Sequence, residues 1–149
     1  MKAMGLNRSK KSNGSDKEVA VLVVEDHEDT RRALTEWLQR RHYKVTSASS
    51  YAEARSLIET NDDFRLLISD VGLPDGSGYD LMAEFKKKFG ANGIALTGLE
   101  KEEDMAKSRA SGFTTHLTKP VHTELLETAL TATLQITTDT VFIQNGMLR

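Results

Sequence analysis

The chain has no cysteine. That excludes a disulfide framework, a thiolate metal centre and a cysteine nucleophile, and it suits a reducing compartment. No apolar run approaches the roughly 20 residues that span a bilayer, and the N-terminus lacks the apolar centre of a signal peptide. An excess of one charge is missing too: 20 Lys and Arg against 22 Asp and Glu leave a formal charge of −2. No global field draws the chain to nucleic acid or to an anionic membrane, so any charge-based function must be local. What is present is 149 residues, 38% of them hydrophobic, enough for one ordinary domain with a sizeable core. A soluble, cytoplasmic domain is the expectation.

The segment 1–17 is polar, broken by Gly and Ser, and carries five basic residues against Asp16, so it reads as a flexible tail or linker. The pattern changes at Val19. The run VAVLVVE (Val19 to Glu25) is continuous and β-branched, the mark of a strand covered on both faces. Residues Asp29 to Arg41 place Ala33, Leu34, Trp37 and Leu38 at helical spacing. Strands are then expected at Tyr43 to Ser49, Phe64 to Asp70, Gly93 to Gly98 and Phe113 to Pro120. Helices are expected at Ala52 to Glu59, Asp80 to Lys88, Glu100 to Ser111 and His122 to Leu134. Five strands alternating with five helices through short loops imply a doubly wound α/β fold, because parallel neighbours need right-handed crossovers. With the flavodoxin-like strand order 2-1-3-4-5, ligands bind outside the carboxyl ends of the strands.

Those ends carry Glu25 and Asp26, then Asp70, then Thr97 with Gly98, then Lys119 with Pro120. Strands one and three are neighbours in this order, so the three carboxylates converge. Carboxylates crowded in a shallow crevice raise one another's pKa unless a cation offsets them. Only oxygen ligands are on offer, which predicts a hard cation, Mg²⁺. Lys119 brings an ammonium group and Thr97 a hydroxyl. Metal, ammonium and hydroxyl around one aspartate suit a phosphoryl group carried on that aspartate, because phosphoryl transfer needs positioning and charge neutralisation more than covalent help.

The motifs VLVVED, ISDVGLPDGSG, ALTG and HLTKP, in this order, resemble the receiver domain of two-component response regulators over about Val19 to Leu134. The resemblance implies a receiver at 18–135, with a C-terminal tail at 136–149. It implies that Asp70 accepts a phosphoryl group from a phosphohistidine on a histidine kinase or histidine phosphotransfer protein. Asp26, Asp70 and the backbone carbonyl of Gly72 would hold Mg²⁺, with Glu25 acting through a coordinated water. Lys119 would pair with the phosphoryl oxygens and Thr97 would move toward them as the switch. Such a domain catalyses its own phosphorylation and dephosphorylation, is not a turnover enzyme, and controls a downstream protein partner, with no nucleic-acid or membrane contact of its own.

Several positions also have plainer explanations. Glu25 and Asp26 could simply open the first helix, where acids complement the dipole. Asp75, Gly76 and Gly78 read as turn formers, and Pro74 as a residue that fixes loop shape. Three residues before Lys119 stands His116, where the family usually has Tyr or Phe as the ring that moves with the threonine. It is either a substitute switch or a histidine without that role. The remaining histidines lack metal-ligand spacing and are assigned no role. Two architectures stay open, a single-domain regulator and the C-terminal receiver of a hybrid sensor histidine kinase, and the run GFTTHLTKPV looks more like the second. The apolar patch Val141 to Ile143 reads as a frayed tail, a docking patch or an added edge strand.

Rival functions are a docking module that is never phosphorylated, a flavodoxin-type FMN binder and an aspartyl-phosphate phosphatase. The acidic loop EDHEDT would repel an FMN phosphate. Asp70-Val71-Gly72 lacks the D-x-D spacing of the phosphatases.

Overall fold

The computed structural model describes residues 18–98 and 102–146, with side chains described through Leu134 except at 102 and 103. The expected tail at 1–17 lies outside the described residues. Five parallel strands form the sheet: β1 (Ala20–Val24), β2 (Lys44–Ala48), β3 (Leu66–Asp70), β6 (Asn92–Thr97) and β7 (Thr115–Thr118). Between β3 and the third helix lies a small antiparallel hairpin, β4 (Gly72–Leu73) with β5 (Gly76–Ser77). The helices are α1 (Glu28–Arg40), α2 (Tyr51–Thr60), α3 (Gly78–Phe89), α4 (Glu102–Ser111) and α5 (Thr123–Gly146). Strand order is β2-β1-β3-β6-β7, so the expected 2-1-3-4-5 order of the main strands is the one observed.

The continuous apolar strands are explained by the two layers that cover them. Val21 and Val23 of β1 join Leu34, Leu38, Ile68, Leu126 and Leu130 on the face covered by α1 and α5. Leu22 and Val24 point the other way, to Ala54, Ile58, Leu81, Met82 and Phe85 of α2 and α3. Alternate residues of one strand thus feed two cores, as the period of two requires. On the second face Phe64, Phe85 and Phe89 stack with ring centroids 4.8–6.3 Å apart. Each fully buried Leu here contributes about 2 kcal/mol relative to exposure. Of the apolar stripe expected on α1, Leu34 and Leu38 are buried and Ala33 is exposed. Trp37 is half-buried with the Arg41 guanidinium 3.8 Å above its ring.

The helix starts explain why the loops at the carboxyl rim hold their shape. The His27 side chain caps α1, accepting from Thr30 N–H, so Glu25 and Asp26 precede the helix and do not open it. Ser50 caps α2 and Ser77 caps α3 by the same device. Gly90 ends α3 in the left-handed conformation at φ 64°, where glycine carries no Cβ penalty.

Two sequence expectations differ from the structure. The hairpin β4–β5 was not expected, because two-residue strands carry no periodicity. The fifth helix, expected to stop at Leu134, continues to Gly146, so the backbone at Val141 to Ile143 is helical and forms no edge strand. No Pro interrupts the stretch after Leu134 and its first Gly is Gly146. Its Thr, Val and Ile residues each cost a helix only a few tenths of a kcal/mol.

Candidate functional site

The carboxyl rim of the sheet gathers the residues singled out from the sequence. Asp70 is the last residue of β3, its side chain 8% exposed. Glu25 follows β1 directly and is fully buried, fixed by its N–H donating to the Ala48 carbonyl at 3.1 Å and by its carboxylate accepting from His27 N–H at 3.1 Å. Asp26 is exposed beside it. Carboxylate oxygens of Glu25, Asp26 and Asp70 all lie within 4.8 Å of one another. Lys119, one residue beyond β7, reaches in from the other side: its Nζ lies 2.7 Å from Asp70 Oδ1 and 2.8 Å from Oδ2. The same ammonium is 3.1 Å from Glu25 Oε1, an ion-pair approach without hydrogen-bond geometry, so among the described residues that buried oxygen has no hydrogen-bond partner. The Lys119–Pro120 peptide bond is cis.

Thr97 ends β6, buried, one residue past the Asp70–Leu96 register pair, and its carbonyl accepts from Lys119 N–H at 2.8 Å. Gly72 is exposed at the start of the hairpin that leaves Asp70. His116 does not join the carboxylates. It is half-buried under α4, lining a small cavity with Thr97, Tyr79, Asp104 and Ser108. Asp104 Oδ2 and Ser108 Oγ, both buried and without a hydrogen-bond partner among the described residues, belong to residues that line the same cavity.

Crowding shows in the titration of the group. Burial, opposed by Lys119 and reinforced by Glu25, pushes the Asp70 carboxyl up to about 7. Burial also works against a charge on Glu25, but the His27 N–H, Asp70 and Lys119 outweigh it and hold that carboxyl below the ordinary range. Lys119 pays for its own burial and is still held above the ordinary lysine value by the two acids. The charges on the buried Glu25 and on Lys119 are therefore favoured in the crevice, and a charge on Asp70 is disfavoured. An all-oxygen donor set, a buried Glu25 oxygen without a hydrogen bond and a carboxyl driven toward neutrality fit a hard divalent cation.

A family profile described as the response regulator receiver domain matches residues 21–131. The chain belongs to the response regulator receiver family. Among curated relatives, an uncharacterized 14.6 kDa protein of Leptolyngbya boryana is 40% identical over 104 residues, 68% of this chain and 79% of the relative. The response regulator SaeR of Staphylococcus aureus is 30% identical over 101 residues, 67% of this chain and 43% of its own length. The receiver thus spans less than half of SaeR. Among solved structures, a Burkholderia pseudomallei response regulator with a phosphorylated aspartic acid, a calcium ion and citrate superposes with TM-score 0.70 at 26% identity. That match covers 88% of this chain and 74% of the Burkholderia chain.

The receiver's site gives some residues roles that the sequence did not assign to them. Arg31 donates from Nη1 to the Glu25 carbonyl at 2.9 Å, tying the first turn of α1 to the end of β1. His27 fixes both the Glu25 carboxylate, through its N–H, and the start of α1, through its ring. Gly78 is required by close approach: a Cβ there would run into the Asp70 carbonyl oxygen and the Val71 backbone. No local pattern signals these roles, since each depends on what the fold brings alongside. Among the described residues no helix is long and apolar enough to cross a membrane.

Proposed function

We propose that this receiver is a phosphoacceptor in a two-component phosphorelay, with Asp70 as the residue phosphorylated. The observation that carries the reading is the Asp70 carboxylate, buried at a strand end, gripped by Lys119 at 2.7 and 2.8 Å and flanked by two further carboxylates. An Asp70 oxygen attacks the phosphorus of a phosphohistidine on a histidine kinase or histidine phosphotransfer protein. The P–N bond breaks, and the released imidazole takes up a proton from solvent. Lys119 shifts its ammonium from the carboxylate to the new phosphoryl oxygens, and the Thr97 hydroxyl supplies a hydrogen bond to them.

Asp26, Asp70 and the Gly72 carbonyl would hold Mg²⁺, with Glu25 acting through a coordinated water. Bound Mg²⁺ neutralises charge that builds up on the transferring group. The aspartyl phosphate and calcium in the Burkholderia regulator support the same pairing of carboxylate and hard cation. Phosphorylation adds about −1.5 to −2 charge. Thr97 and Lys119 favour the conformer that contacts it, and the repacking reaches a downstream protein partner through His116, α4 and α5. The domain is a switch and not a turnover enzyme, and the same chemistry serves a stand-alone regulator or the receiver of a hybrid histidine kinase. A cytoplasmic setting belongs to this reading, supported by the absence of cysteine.

The test is labelling with a phosphorylated histidine kinase and with acetyl phosphate in Mg²⁺, read by intact mass. One phosphoryl group is expected on the native chain and none on Asp70→Asn. Labelling retained in that variant contradicts the assignment.

A further inference from the structure

The hairpin β4–β5 carries Gly72 away from Asp70, and nothing intrinsic to it would hold it still. Two residues per strand make a marginal ladder, and Gly72 and Asp75 are both exposed. Its tip is nevertheless fixed from outside. The Asp75 carboxylate accepts from Tyr51 N–H at 2.8 Å through Oδ1 and from Ala52 N–H at 3.0 Å through Oδ2. These are two of the N–H groups that the start of α2 leaves without intrahelical partners. The Ser50 side chain supplies only Glu53 N–H, at 3.1 Å, so the cap of α2 is shared between a local serine and an aspartate 24 residues beyond Tyr51.

The rest of the tip is packed to match. A Cβ on Gly76 would collide with the Tyr51 ring, so the hairpin backbone lies directly against it. That ring is held in turn by its hydroxyl on Glu84 at 3.1 Å, and the other Glu84 oxygen accepts from Arg55 at 3.1 Å. Leu73 is buried in the core shared by α2 and α3.

We propose that Asp75 is a positioning residue for the cation site: by clamping the hairpin tip onto the start of α2, it sets where the Gly72 carbonyl lies relative to Asp70. The inference rests on the reading that this carbonyl is a ligand for Mg²⁺. Two charge-assisted hydrogen bonds at a helix N-terminus form a strong tie for an exposed loop. The two N–H donors also hold the Asp75 carboxyl below the ordinary aspartate range. Removing the carboxylate frees the tip while leaving every carboxylate of the site untouched.

The experiment compares Asp75→Ala and Asp75→Asn with Ser50→Ala in the full chain. Ser50→Ala weakens the same helix start without touching the hairpin, so it is the control for mere loss of α2 stability. Amide exchange by NMR in the cation-free protein reads the clamp itself. Exchange at Gly72 and Ser77 is expected to rise by about tenfold in Asp75→Ala, less in Asp75→Asn, which keeps one acceptor, and not in Ser50→Ala. Calorimetry reads the consequence, with Mg²⁺ affinity falling by about tenfold in Asp75→Ala and staying at the native value in Ser50→Ala. Native exchange rates in both Asp75 variants overturn the clamp, and so does a loss of Mg²⁺ affinity in Ser50→Ala as large as in Asp75→Ala. Should Asp75→Ala fail to fold, Asp75→Asn carries the comparison alone. A native chain that binds no Mg²⁺ removes the proposed function, while the exchange data still decide the clamp.

Discussion

Replacing Asp70 by Asn should stabilise the cation-free receiver at neutral and alkaline pH. The Asp70 carboxyl is pushed up to about 7 in the fold, against 3.8 for an ordinary aspartate. The folded state therefore binds this proton more tightly than the unfolded chain does. Stability from this group is intact below about pH 4, drains away as pH rises through the window, and is fully lost above about pH 7. A difference of about three pKa units corresponds to at most about 4 kcal/mol. Asn keeps the shape and removes the charge. Lys119 then loses its Asp70 partner but keeps Glu25 at 3.1 Å, so the net gain is smaller. An increase of about 1–3 kcal/mol at about pH 8 is expected, shrinking toward zero near pH 4.

The assay is urea unfolding in a chelator across that pH range, followed through Trp37, the chain's one tryptophan. Added Mg²⁺ should close the gap from the native side, because the cation offsets the second negative charge, and it should leave Asp70→Asn nearly unchanged. An Asp70→Asn variant no more stable than the native chain at pH 8, or a gap that widens on acidification, would refute the account of the crevice.

Further outcomes can be checked with the same preparation. Lys119→Ala leaves Glu25 and Asp70 buried without their ammonium and should cost about 2–4 kcal/mol at neutral pH, less in acid, by the same unfolding assay. Gly78→Ala forces a methyl group into the Asp70 carbonyl and should destabilise by more than about 2 kcal/mol, whereas Gly98→Ala, whose Cβ meets nothing within 4 Å, should unfold within about 0.5 kcal/mol of the native chain. His116→Phe should leave acetyl phosphate labelling of Asp70 at the native rate, because the ring lines the α4 cavity and lies outside the Glu25, Asp26 and Asp70 group. A labelling rate that falls with this variant would place His116 in the chemistry itself.

The legible part of this molecule was whatever is written in contiguous residues. The five strands show as β-branched runs because both faces of the sheet are covered, and their ends fall where turn residues begin, which put Glu25, Asp26, Asp70, Thr97 and Lys119 on one rim. What stayed hidden depends on partners far apart in the chain. Asp75 reads as a turn residue because the partners of its two hydrogen bonds lie 24 and 23 positions upstream. Arg31 gave no sign that it reaches back to the Glu25 carbonyl. The last turns of α5 read as a frayed end because Thr, Val and Ile there carry a pattern that suits strand and helix almost equally.

The 2.8 Å bond from Lys119 N–H to the Thr97 carbonyl has a mechanical meaning. It laces the ends of two adjacent strands together at the point where one contributes a hydroxyl and the other an amine. Neither backbone segment can travel far alone. An advance of either toward a newly charged Asp70 hauls its companion along, so the receiver should respond as a single latch with two teeth rather than as two independently closing fingers.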